Sequence, residues 1–171
     1  MFGRVHLGSG SRALGLSVVV FVGVVLYAAR VLPERVASHY DLAGRADGFS
    51  DRGTYLATLS GVCLALVALF ALVRWLLPRL PNDLINLPHK DYWLAPDRRA
   101  ASLQRIGNCL SWIGVATVAL MTAILGLTIR SHRGDEPQSI GAGGWGLTSA
   151  YLVVVLAMVI AMAMSWSRRP A

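Results

Sequence analysis

The sequence predicts an all-α integral membrane protein, a bundle of four transmembrane helices with an interfacial helix or strip in its second loop. Three observations predict it. Hydrophobic residues make up 55% of the 171 positions and charged residues only 15%, well below the roughly 25% charge of an ordinary soluble domain. The apolar residues fall in blocks at 13–29, 53–73, 106–129 and 137–167 that contain no Asp, Glu, Lys or Arg. None of these blocks shows the polar stripe that a helix of a soluble bundle turns to water. A helix needs about 20 mainly apolar residues to cross a hydrocarbon core about 30 Å thick. Spans therefore fall near 13–32, 54–76, 107–129 and 147–165, within a single membrane domain over residues 1–171.

The first span follows Arg4 and Arg12, as a secretory signal would. Its apolar run is longer than a signal core of about 7–15 residues, and Leu26-Tyr27-Ala28-Ala29-Arg30 is a poor cleavage site, so it reads as a retained helix. The second span holds ten Leu, Val or Phe residues between 54 and 73. They favour insertion by roughly 3–6 kcal/mol, with no charge opposing. In the third, Ser111, Thr117 and Thr122 are expected to bond their own helix backbone. Arg30 and Arg74 lie close enough to span ends to snorkel. The absence of ionisable residues at mid-span argues against an ion-coupled transporter. Cys63 and Cys109 read as buried, unpaired small hydrophobes. Gly61/Ala65, Gly107/Ser111, Ala119/Ala123 and Ala157/Ala161 allow close helix approach within one chain or in a homo-oligomer.

The formal charge of +7 does not require nucleic acid. With both termini cytoplasmic, ten Lys and Arg lie inside and six outside, in the sense of the positive-inside rule. Tyr27, Tyr55 and Trp145 on one side, and Trp75, Tyr92, Trp93, Trp112 and Trp166 on the other, read as boundary anchors rather than a base-stacking platform. A single lysine, Lys90, beside fifteen arginines suggests a GC-rich bacterial source. The expected location is a bacterial inner membrane.

The inner loop, 77–106, begins with Pro78 and Pro81, which stop the second span. Asn82 to Leu94 reads as an ordered, half-apolar strip at the headgroups. Asn86, Pro88, His89, Asp91, Tyr92 and Trp93 are its candidate functional residues. His89-x-Asp91 alone is a weak metal signal. Pro96 and Asp97 suit the first turn of a following helix.

The outer loop, 33–53, carries His39, four acidic residues and three glycines, and polar connections longer than about 12–15 residues are usually functional or disordered. Asp47-Gly48 is the strong turn signal, with Gly44 and Gly48 free to take positive φ. If Ser38 to Asp41 is extended, His39 and Asp41 share a side and their hydrogen bond can tether the loop over the bundle. His39, Tyr40, Asp41, Gly44, Asp47 and Gly48 are the candidate binding residues. Structural tethering, partner recognition and metal binding all remain open. The metal reading would recruit His39, Asp41 and Asp47, with His132, Asp135 or Glu136 from the second outer loop.

Leu32-Pro33, Val36, His39-Tyr40, Gly44 and Asp47-Gly48 form a spaced pattern. It resembles the N-terminal membrane domain of unknown function in bacterial immunity and signalling proteins that protect against the sporulation-delay toxin. The likeness covers about the first 75 residues. The segment from Asn86 to Pro96 resembles a strip in short four-span members of that group. The immunity proteins are longer and carry a second membrane region, associated with toxin protection and signalling, not all of which fits in 171 residues.

No GxSxG, HExxH, phosphate-binding glycine loop or CxxC is present, and no cofactor or metal is expected. The expected function is therefore non-enzymatic sensing, binding or protection through the first outer loop. The alternatives are a membrane metalloenzyme or hydrolase with an outward-facing His/Asp site, and an accessory subunit of a membrane complex. The expected partners are the lipid bilayer and a peptide or membrane protein, with no nucleic acid.

Overall fold

The computed structural model describes residues 9–133 and 139–167. Four helices in it are long and apolar enough to cross a membrane. In chain order the elements are α1 (Ser9–Val31), β1 (Arg35–Tyr40), β2 (Ala46–Asp51), α2 (Arg52–Leu76), a short α3 (Lys90–Trp93), α4 (Arg99–Ser131) and α5 (Gly141–Ser167). Long apolar runs take the helical form in lipid because only that form satisfies every backbone N–H and C=O within one segment. Leu16, Val19, Leu26, Leu69, Leu152 and Val153 all stand exposed on the helix surfaces, which a bilayer solvates and water would not.

The helix ends follow from local chemistry. Asp51 caps α2, its side chain accepting from the Thr54 N–H at 2.8 Å. Pro78 enters the 3₁₀ turn Leu77–Arg79 that ends it. Helix α4 is longer than the expected span. Its 33 residues rise about 50 Å at 1.5 Å each, so its charged first turns leave the hydrocarbon. Pro96 and Asp97 are not in its first turn. They lie in the turn before it, where the Arg98 and Arg99 N–H groups donate to the Ala95 carbonyl.

Helix α4 is the centre of the bundle and packs against α1, α2 and α5. Gly107, Ser111, Gly114, Thr117, Val118, Leu125 and Thr128 form its buried face. A Cβ at Gly114 would touch Leu14 of α1 and Phe70 of α2. As expected, Ser111, Thr117 and Thr122 bond the carbonyls four residues back. Arg74 departs from expectation. It turns onto α4 instead of snorkelling outward, donating to Ser111 Oγ at 3.2 Å and lying against Gly107.

Three apolar layers run along the bundle. Ala28, Leu32, Val36, Leu56 and Leu125 close one end, Phe21, Cys63 and Val118 fill the middle, and Leu77, Ile85, Leu94 and Leu103 close the other. The first layer includes Val36 of β1, so the polar connection between α1 and α2 is part of the core. That connection is a two-stranded antiparallel sheet, the single β element among the described residues.

Candidate functional site

The strands pair Arg35 with Asp51, Val36 with Ser50 and Ala37 with Phe49, then His39 with Gly48 and Tyr40 with Ala46. Asp47 is left over as a bulge between the last two pairs. The turn lies at Leu42-Ala43-Gly44, not at Asp47-Gly48. The Asp41 N–H donates to the Arg45 carbonyl, and Asp41 Oδ1 accepts from the Arg45 N–H at 2.8 Å. Gly44 takes φ +76°, the left-handed residue that closes a three-residue hairpin loop. Gly48 is needed for a different reason, since a Cβ there would stand 2.8 Å from the His39 Cβ across the ladder.

An isolated two-stranded hairpin is marginal in water; this one is fastened at three places. At its base, Arg52 donates to the Leu32 carbonyl and its N–H to the Glu34 carbonyl. On the stem, the Ala37 N–H donates to His132 Nε2 at 3.1 Å, while His132 Nδ1 donates to the Thr128 carbonyl at 2.8 Å. An Nε2 that accepts leaves Nδ1 as the donor, toward the Thr128 carbonyl. Tyr40 and Ser131 hydroxyls meet at 3.2 Å. At the tip, the Gly44 carbonyl accepts from the Ile140 N–H and from Ser139 Oγ, and Trp145 Nε1 donates to the Leu42 carbonyl. A Cβ at Gly44 would fall 2.5 Å from the Gly141 nitrogen.

Beneath this cap lies a cavity of about 310 Å³ between the hairpin and helices α2, α4 and α5. Its walls are Leu59, Ile124, Leu127 and Ile140 with the rings of Tyr40, Tyr55 and Trp145; Ser38, Asp41, Thr128 and Thr148 add polar groups. A small set of polar groups in an apolar concavity is the usual make-up of a small-molecule site. The Tyr55 and Thr128 hydroxyls hydrogen-bond each other at 2.8 Å.

The six outer-loop candidates divide between two faces. Tyr40, Asp41 and Gly44 line the cavity. His39, Asp47 and Gly48 do not, and His39 Nδ1 meets Asp47 Oδ1 at 2.5 Å with side chains 72% and 47% exposed. In place of the expected His39–Asp41 tether there is a His39–Asp47 pair, because the bulged Asp47 sits next to Gly48, the cross-strand partner of His39. Among the described residues no group of three His, Cys, Asp or Glu converges as metal ligands; Asp135 and Glu136 lie outside them. His132 spends both nitrogens on the clip to Ala37 and Thr128. Tyr55, Thr128, Ser131, Ser139 and Trp145 complete the site without a sequence motif to single them out.

At the other end the expected strip is present as short turns rather than one helix. It is a 3₁₀ turn at Asn82–Leu84 and the four-residue α3, folded over its own apolar layer. Asn86, Pro88 and Asp91 are exposed, Tyr92 and Trp93 half-buried, and His89 takes φ +54° at the start of α3. Arg99 ties the strip to the end of α2 by donating to the Pro78 and Leu80 carbonyls and Asn82 Oδ1. Trp166, expected as a boundary anchor, is buried, edge-on to Trp93, whose Nε1 donates to its carbonyl.

Fold and site together define a multi-pass helical membrane protein whose first interhelical connection is a hairpin capping a cavity at one end of the bundle. Residues 16–61 match a family described as a domain of unknown function, DUF1648; the match runs from within α1, through the whole hairpin, into α2. No curated protein and no solved structure matches the chain.

Proposed function

We propose that this chain is a non-enzymatic sensing, binding or protective module of a bacterial cytoplasmic membrane, acting through the cavity under its hairpin. The carrying observation is the cavity itself, closed on one side by a hairpin held at base, stem and tip. The hairpin faces outward and both termini lie in the cytoplasm, a reading supported by the excess of Lys and Arg on the opposite side. The match of residues 16–61 to a membrane-type domain of unknown function fits such a module and names no particular role for it.

Thr148 lines the cavity from α5, so Thr148→Phe fills it without touching the fastenings of the hairpin. In cells challenged with membrane-active peptide toxins, the intact chain should raise tolerance, and Thr148→Phe should abolish the gain at equal protein level. Equal tolerance from both proteins would refute the role of the cavity. Sidedness is read by placing a cysteine at Ala46, which should react with an impermeant maleimide in intact cells. Reaction only after lysis overturns the orientation.

A further inference from the structure

We propose that the cavity under the hairpin takes a cationic amphiphile, an organic ammonium head on a single alkyl tail; this rests on the binding role given above. Among the described residues, Asp41 is the one charged residue lining the cavity. Its Oδ1 accepts from the Arg45 N–H, and it makes no ion pair among the described residues. Among the described residues no Lys or Arg lines the cavity; Arg130 borders a neighbouring crevice that shares Leu127 and Ile140. A carboxylate without a cation disfavours an anionic or zwitterionic phosphate head and leaves room for a positive one.

The aromatic wall points the same way. Tyr40, Tyr55 and Trp145 have already committed their polar atoms to Ser131, Thr128 and the Leu42 carbonyl. What they offer a guest is ring surface. Ring faces attract organic cations, and cages of such rings recognise quaternary ammonium groups. The tail has a track as well. A second groove of about 440 Å³ shares Ser38, Tyr55, Leu59 and Ile124 with the cavity and continues past Val62 and Met121, further into the span between α2 and α4. Head site and tail track adjoin through these four shared residues, which gives a guest a route from the bilayer rather than from water.

The test uses the full chain in lipid nanodiscs and a photoreactive alkyl-trimethylammonium probe, with labelled peptides mapped by mass spectrometry. Labelling is expected within residues 37–62, 121–128 and 140–148, displaced by dodecyltrimethylammonium and not by dodecyl sulfate. Asp41→Asn keeps an oxygen to accept from the Arg45 N–H, so the turn persists; it should weaken displacement about fivefold. Thr148→Phe should abolish labelling. Displacement by dodecyl maltoside as strong as by the cation, or an unchanged Asp41→Asn midpoint, overturns the cation preference while leaving the cavity a binding site. Absence of labelling there by this probe and by a neutral alkyl-maltoside probe overturns both.

Discussion

His132 is the sharpest test of how the hairpin is held. Its Nε2 accepts from Ala37, a residue 0% exposed, so nothing replaces the imidazole if it is removed. The other half of the clip is redundant, because the Thr128 carbonyl also accepts from Ser131 Oγ and the His132 N–H. The cost of losing the ring is therefore the cost of one buried, orphaned N–H, about 1–3 kcal/mol. Asparagine reaches only as far as Nδ1 and should incur that cost; glutamine places an oxygen near the Nε2 position and should recover most of it. In hydrogen–deuterium exchange on the chain in nanodiscs, His132→Asn should speed exchange of the 35–40 amides by roughly 5- to 150-fold, at 1.36 kcal/mol per decade. Amides in the middle of α4 should be unaffected. Equal exchange in wild type and His132→Asn would show that the stem is held without this bond.

Gly44→Ala should be the most damaging change at the tip. It places a Cβ at φ +76° and 2.5 Å from the Gly141 nitrogen. The backbone strain alone is about 1–2 kcal/mol, and limited proteolysis should cut the variant near 42–45. His39→Ala should shift thermal stability by less than about 1 kcal/mol, since its pair with Asp47 is exposed. Hydrogen bonds from the Thr54 side chain and backbone hold the Asp51 carboxyl below the usual range. A lowered native pKa stabilises above the unfolded value of about 3.9. That contribution is lost as pH falls through the native value. Exchange at the Thr54 amide should therefore rise in that acid window, and Asp51→Asn should flatten the pH dependence.

The four helices were legible because lipid makes hydrophobicity itself the signal. The runs at 13–29 and 53–73 exclude charge and have no soluble alternative. The hairpin was legible only in part. The αL position of a three-residue loop was encoded in Asp41-Leu42-Ala43-Gly44, yet Asp47-Gly48 carries the stronger local turn signature. The choice between them was made by tertiary contact, because only a turn at Gly44 brings its carbonyl to Ile140 and Ser139. The partners of Arg74 and His132 were not legible for a related reason. Snorkelling and metal ligation are local expectations, whereas Ser111 and Ala37 are partners 37 and 95 residues away. No spacing rule reaches that far in a chain without a repeated motif.

The cavity and the cap also constrain each other. The cavity has its roof only while the hairpin is docked, so a guest that fills it binds the docked state alone. Such a guest stabilises docking by RT ln(1 + [L]/Kd), and at a concentration 100 times Kd it should slow exchange of the 35–40 amides by about 100-fold. Reciprocity requires the converse. If His132→Asn leaves the hairpin docked for only a fraction of the time, the apparent Kd of the guest rises by the inverse of that fraction. If docking keeps a margin larger than the lost hydrogen bond, affinity stays unchanged while exchange still accelerates. Exchange and binding measured on the same variant thus give the docking free energy twice. Agreement between the two values requires the hairpin to be the lid of the site, and disagreement would place the guest elsewhere on the bundle.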